Sequence, residues 1–514
     1  MSLEPTVGKN IVETLTLGMY TDPKIIFREY IQNAADSIDI AKGKGYYSKE
    51  KTPSIIINIS SRNIYIEDNG TGIGRDKAAS KLCDIGKSDK DYSEQRGFRG
   101  IGRLGGLAYC QKLTFSTSAL NENEYTEVSF DCNKLKKYLS PLLYRDMTAT
   151  DLIKEVTTIN YGREKLDKHY FRINIENVNE PTLLDEKDVF NYLCVISPVK
   201  YHSTKFVMAS MIYDLFKKYN IEYEGYDIYF NGKDVLKPYK TRFKVHKENL
   251  DDHIKNLIFF EHITDNEKNS FFGWYADCHM LGAVVDDLLK GMRVRKGNIQ
   301  IGDETFSKVF LKKSNERFYS WIIGEVFVFD KGLIPNARRD SFETSNSFDA
   351  FKNSMGDYFS QIVKEIREKS AKRNDPINKK SIAVETILDG IGKAIKNGFK
   401  SKKELIKAKE DIDLATELAS SIEDEISRLK DKKIIGEKQQ AITELKEKID
   451  SAASVLQFKS YFKADKLTTS LSRKEKNIVI EIFDQIYDDL EEELANQLID
   501  AIISRLNKIG KKSK

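Results

Sequence analysis

The run Asp68-Asn69-Gly70-Thr71-Gly72-Ile73-Gly74 constrains the fold of this chain more than any other stretch. It follows two β-branched runs, SIIINIS at 54–60 and NIYIED at 63–68, which read as a hairpin. A carboxylate at a strand end, followed at once by alternate glycines, lets backbone approach a ligand closely. Asp68 can accept a hydrogen bond from an exocyclic amine such as that of adenine. A common glycine-rich turn after a strand has the same wording, so the flanking segments must decide.

Upstream, residues 27–41, FREYIQNAADSIDIA, read as a helix. Glu29, Asn33 and Asp36 share one polar stripe, since residues three and four apart are neighbours on a helix surface. Ile31, Ala34, Ala35 and Ile38 fall on other faces and pack inward. Such a stripe can position a water and a magnesium ion beside a nucleotide; it also suits a plain amphipathic helix. Asp22-Pro23 starts the helix and Gly43 and Gly45 end it. Residues 11–20 predict a shorter helix before it.

Downstream, the polar segment 75–96 reads as a lid-like loop and contains Ile85-Gly86-Lys87-Ser88. It closes on Gly97-Phe98-Arg99-Gly100-Ile101-Gly102. These glycines are expected to open a helix whose amides suit phosphate. The spacing is neither GxxxxGK[ST] nor the strand–GxGxxG–helix pattern of a dinucleotide fold. Residues 113–117, 127–131 and 169–178 predict further strands.

From 186 the pattern changes. Residues 189–195 and 205–219 read as helices, and 226–230 as a strand turned by Asn231-Gly232. Residues 271–278 and 322–329 read as strands, and 292–301 as a strand pair around Gly297. Residues 332–342, GLIPNARRDSF, form an irregular loop with two adjacent arginines. After Pro376 there is no proline. Leu405, Ala408, Ile412, Ala415, Ala419, Ile422, Ile426 and Leu429 alternate spacings of three and four, and 442–456 repeat the pattern beyond Gly436. A coiled-coil hairpin is expected, then a last helix capped by Ser472 and Glu475 and running to about 508.

The 514 residues carry a net charge of only +4, so nucleic-acid binding is not forced by charge. Five scattered cysteines without CxxC spacing predict reduced thiols and a cytoplasmic setting. Cys278-His279 reads as a strand-end pair, not a metal site. No apolar run is long enough to span a bilayer, and the first residues lack a signal-peptide core.

Three motifs thus stand in order: Glu29-x-x-x-Asn33-x-x-Asp36, Asp68-x-Gly70-x-Gly72 and Gly97-x-x-Gly100-x-Gly102. Together they resemble the GHKL ATPase superfamily of gyrase B, heat-shock chaperones, histidine kinases and MutL. The segment from Tyr20 to Glu29, the lid Ile85-Gly86-Lys87-Ser88 and the loop Gly332–Asp340 are most similar to the ninety-kilodalton heat-shock chaperones. The resemblance implies an α+β chain in three parts. A Bergerat-type ATP-binding sandwich would occupy 1–185. An α+β transducer of the ribosomal-protein-S5-like type would occupy 186–375, and a helical coiled-coil tail 376–514. It implies Glu29 as general base, Arg28 pairing with and restraining it, and Asn33 as magnesium ligand. Asp36 would support the site and Asp68 would read adenine. Gly70, Gly72, Lys87, Gly97, Phe98, Gly100, Ile101 and Gly102 would line the nucleotide. Arg339, or its neighbour Arg338, would reach the γ-phosphate.

The family's glycine–threonine strand start near adenine has no counterpart at His169-Tyr170-Phe171, and the tail is unlike a chaperone dimerisation domain. Three readings stay open. One is a slow magnesium-dependent ATPase acting on protein clients or a dedicated partner, with homodimer closure. Another is a DNA-associated clamp like gyrase B or MutL, with Lys296 as the phosphate sensor. The last is an ATP-gated defence or stress protein. A histidine kinase is disfavoured, because all six histidines fall between 169 and 279 and too little chain precedes Glu29.

Overall fold

The computed structural model describes residues 6–16, 18, 22–49, 51–87, 100–140, 142–245, 250–263, 269–374, 376–399, 402–428, 432–457, 472–490 and 492–512. The chain divides into two units, Met1–Ile366 and Arg367–Lys514. Among the described residues no helix is long and apolar enough to cross a membrane.

The first unit opens with α1 (Asn10–Thr16) and α2 (Ile25–Gly43). The hairpin follows as β1 (Ser54–Ser60) and β2 (Asn63–Asp68), in a register that sets Ile57 opposite Ile66. Part of the expected lid is helical, α3 (Arg75–Cys83). Then come β3 (Lys112–Ser118), β4 (Glu124–Asp131), α4 (Cys132–Tyr138), α5 (Ala149–Val156), β5 (Thr157–Arg163) and β6 (Tyr170–Glu176). After α6 (Glu186–Ile196) and α7 (Ala209–Lys218), the chain adds β7 (Asp227–Phe230) and β8 (Lys233–Asp234) to the same sheet. The strand order is β5-β4-β3-β6-β2-β1-β7-β8. Only β7 on β1 is parallel, as a connection through two helices allows. The Asn231-Gly232 turn has the positive φ values, 45° and 75°, that a two-residue hairpin requires.

Helix α2 packs against β2, α6 and a 3-10 turn at Gly102–Ala108. Its Ile31, Ala34, Ala35 and Ile38 are buried in one core with Ile55, Ile57, Ile66, Phe115 and Ile173. Burying each large aliphatic side chain contributes roughly 1.5–3 kcal/mol. This core fixes the rotation of α2, and with it the direction of the polar stripe.

A second sheet completes this unit. A ribbon pairs β9 (Arg242–Lys244) with β10 (Asp251–His253). The main sheet holds β11 (Asn256–Ile263), β12 (Asn269–Asp277), β13 (Gly291–Lys296), β14 (Ile299–Ile301) and β15 (Ile323–Val328), in the order β11-β12-β15-β13-β14. The β13–β15 pair is parallel, so the sheet is mixed. Its aromatic core includes Phe272, Trp274 and Phe327, covered by Phe351, Met355 and Phe359 of α8 (Asn346–Asn374). Glu325 is fully buried and is bonded by Lys237 at 2.9 Å, by Arg295 and by the Tyr201 hydroxyl. Paired on all sides, this carboxylate avoids the cost of an isolated buried charge. Arg295 also donates to the Val195 carbonyl at 2.8 Å, which ties the second sheet to the end of α6.

The second unit is helical, with α9 (Pro376–Asn397), α10 (Lys402–Ser427), α11 (Lys432–Gln457), α12 (Arg473–Asp489) and α13 (Glu492–Lys512). Ala415 and Ala419 are fully buried, and Ile422, Ile426, Ile442 and Ile449 join them in one core. The expected hairpin is present as α10 and α11, with α9 packed against both. Gly436 lies inside α11. The Ser472–Glu475 capping box forms as expected. The expected single last helix is two, because Leu490 is extended and ends α12.

Candidate functional site

Glu29, Asn33 and Asp36 all line one cavity of about 490 Å³. Glu29 and Asp36 are nonetheless only 6% and 3% exposed, because α2 is wedged between the sheet and the 3-10 turn. Asp68 lines the same cavity at 4% exposure. One of its oxygens accepts from the Gly70 N–H at 2.9 Å, which fixes the carboxylate at the strand end. Phe171 stands opposite Asp68 on β6, and with Ile173 it gives the cavity an apolar wall beside a hydrogen-bond acceptor. A flat heterocycle with an exocyclic amine suits that combination.

The glycines divide by role. Gly72 lines the cavity with φ +63°, and a Cβ there would lie 1.9 Å from the Ser118 carbonyl oxygen. Gly70 does not line it; a Cβ there would meet the Ser37 backbone at 2.7 Å, so this glycine lets the loop lie on α2. Lys87, Gly100, Ile101 and Gly102 line the cavity. A Cβ on Gly102 would lie 2.1 Å from the Glu29 carboxylate, so glycine there leaves room for it. The segment from Gly102 forms a 3-10 turn instead of the expected helix, in keeping with the low helix propensity of Gly105-Gly106. Gly97 and Phe98 lie outside the described residues.

The arginines depart from expectation. Arg28 does not pair with Glu29: its guanidinium donates to the carbonyls of Arg339 at 3.3 Å and Arg338 at 3.0 Å. Adjacent helical residues point about 100° apart, so Arg28 and Glu29 face different neighbours. The partner of Glu29 is Arg339, whose Nε donates at 3.0 Å in a pair almost closed to solvent. Arg339 sits at φ +57°, a left-handed conformation uncommon outside glycine. Its N–H donates to the Asn336 carbonyl, and its own carbonyl accepts from Arg28 and the Gly302 N–H. These bonds hold the turn and aim the side chain at Glu29. Arg338 and Lys296 do not line the cavity. Lys296 donates to the Asp330 carbonyl at 2.6 Å, and burial lowers its pKa to about 8.

Several lining residues escaped the sequence reading. Thr71 and Ser37 line the cavity with hydroxyls 3.3 Å apart. Lys77 and Lys81 of α3 also line it. Their i,i+4 spacing was the available signal once 75–83 is seen as helical. One cavity is thus lined by the Asp68 carboxylate, the apolar Phe171 and Ile173, the Glu29–Arg339 pair and the lysines Lys77, Lys81 and Lys87. The oxygen donors of Asn33, Glu29 and Asp36 are of the type magnesium prefers. Such a site can hold a nucleotide with its phosphates among cations.

Residues 25–160 match the family described as histidine kinase-, DNA gyrase B- and HSP90-like ATPase. The chaperone protein HtpG of Chromobacterium violaceum is 29% identical over 138 residues, covering 23% of this chain and 22% of that protein. HtpG of Burkholderia cenocepacia is 29% identical over 136 residues, with 23% and 21% covered. HtpG of Halalkalibacterium halodurans is 28% identical over 136 residues, with 22% and 21% covered. The matches span about a fifth of the length of these curated relatives. The chain therefore carries a GHKL-superfamily ATPase domain distantly related to those of the HtpG chaperones.

Proposed function

We propose that this chain binds ATP with magnesium in the cavity and hydrolyses it slowly, using the cycle to act on a protein client or a dedicated partner. The observation that carries the reading is the buried Glu29–Arg339 pair, formed by residues 310 positions apart. A base in the nucleotide cavity is thereby tied to a cation from the second sheet's loop. Asp68 accepts the adenine amine, and Phe171 covers the ring. Asn33, with the neighbouring carboxylates, would hold magnesium, which offsets the triphosphate charge when bound. Glu29 takes a proton from water as its oxygen bonds to the γ-phosphorus and the bond to the ADP oxygen breaks. Arg339 is shared: paired with Glu29 it masks the base, and drawn to the γ-phosphate it both unmasks Glu29 and stabilises developing charge.

The division we propose is nucleotide binding in 1–185, with α6, β7 and β8 completing that sheet and its core, transduction in the remainder of 186–375 and a helical tail in 376–514. The position of Arg339 favours the chaperone-like arrangement over the DNA clamp, whose lysine would be Lys296. In the test, Glu29→Ala retains nucleotide affinity by titration calorimetry and loses turnover, while Asp68→Asn loses affinity. Unchanged turnover in the first or unchanged affinity in the second overturns the reading. Capture of partners on the Glu29→Ala form with ATP, from the native cell, then separates protein from DNA.

A further inference from the structure

Away from the nucleotide cavity, three chemistry-bearing side chains converge where the β9–β10 ribbon meets the end of β12. Asp252 and His253 belong to β10, and His279 follows β12. One ligand atom from each lies within 4.8 Å of the other two. A tetrahedral zinc shell places such atoms about 3.3 Å apart, given metal–ligand bonds of about 2.0–2.1 Å. On binding, the separations must shorten by at most about 1.5 Å.

The carboxylate is already oriented. Asp252 is 1% exposed; one oxygen accepts from the His253 N–H at 2.8 Å and the His279 N–H at 3.2 Å, the other from the Leu281 N–H at 3.1 Å. A carboxylate has about four acceptor sites, and the bonds among the described residues use three of them. Each histidine is thus anchored to Asp252 through its own backbone. The two rings meet edge to face, with centroids 5.2 Å apart. Both histidines are partly exposed, so an ion can reach them from solvent.

We propose that Asp252, His253 and His279 form a binding site for a divalent transition ion of the zinc type. Two imidazoles and one carboxylate suit zinc and leave a coordination position for water. A bound ion would link the ribbon to the main sheet through residues 27 positions apart, Asp252 and His279. The proposed site takes only the histidine of the Cys278-His279 strand-end pair and joins it to Asp252 and His253 of another strand.

The test uses the full chain without nucleotide, with excess magnesium to occupy hard-oxygen sites and zinc as the probe. Calorimetry should find one zinc per chain, and H253Q/H279Q should weaken it at least about tenfold. In histidine-ring NMR of the wild type, zinc should shift two of the six imidazoles far more than the rest. That measurement stands even if the variant folds poorly. Failure to bind zinc, unchanged affinity in H253Q/H279Q, or shifts confined to other histidines overturns the proposal.

Discussion

Breaking the Glu29–Arg339 pair should show how strongly the second sheet's loop is latched to the nucleotide site. The two side chains are only 8% and 6% exposed, so removing one leaves a charge with little access to water. Removing one partner of a buried pair costs about 3–5 kcal/mol, whereas replacing both by neutral groups costs much less. Arg339→Met is therefore expected to lower the stability of the first unit by about 3–5 kcal/mol. Glu29→Gln should cost less, since its amide oxygen still accepts from Arg339. The double variant should fall short of the sum by about 1–3 kcal/mol. Urea unfolding followed by tryptophan fluorescence measures this without interference from the tail, because Trp274 and Trp321 both belong to Met1–Ile366. A non-hydrolysable ATP analogue should shrink the coupling, as the γ-phosphate competes for Arg339. Additive single effects, or a coupling that nucleotide leaves unchanged, would refute the shared-arginine argument.

Two further outcomes follow from the geometry. Gly102→Ala puts a methyl group 2.1 Å from a Glu29 oxygen, so the carboxylate must move. Turnover should drop about 100-fold while nucleotide affinity holds; equal kcat would show that Glu29 need not sit there. Lys296 has its pKa lowered by burial to about 8 from 10.5, so between those values the unfolded chain binds more protons and stability climbs with pH. Lys296→Met should abolish that part of the climb between pH 8 and 10.5, read from urea midpoints, and an unchanged profile would assign the climb elsewhere.

Elements with strong periodicity were legible in the sequence. The hairpin at 54–68 and the inward face of α2 follow from period-2 and period-3.6 patterns, and the Ser472–Glu475 cap from its spacing. Helix α3 was hidden because only Ala78 and Leu82 of its nine residues are buried, too few to mark a face. Strand β5 was hidden because an edge strand of sequence TTINYGR exposes most of its residues. The site stripe on α2 was readable because it is local. The Arg28 contacts were not, since they depend on which carbonyls of a loop 310 residues away arrive beside it.

The parallel pairing of β7 with β1 bears on how this protein can be cut. A fragment ending at residue 185 would contain the whole nucleotide cavity except the loop residues Ala337 and Arg339. It would also strip away β7 and β8 and leave β1 as a bare edge of alternating isoleucines, Ile55, Ile57 and Ile59. Unpaired edges of that kind recruit other chains. A soluble, well-behaved nucleotide-binding fragment should instead extend past Asp234, so that the sheet keeps its own border.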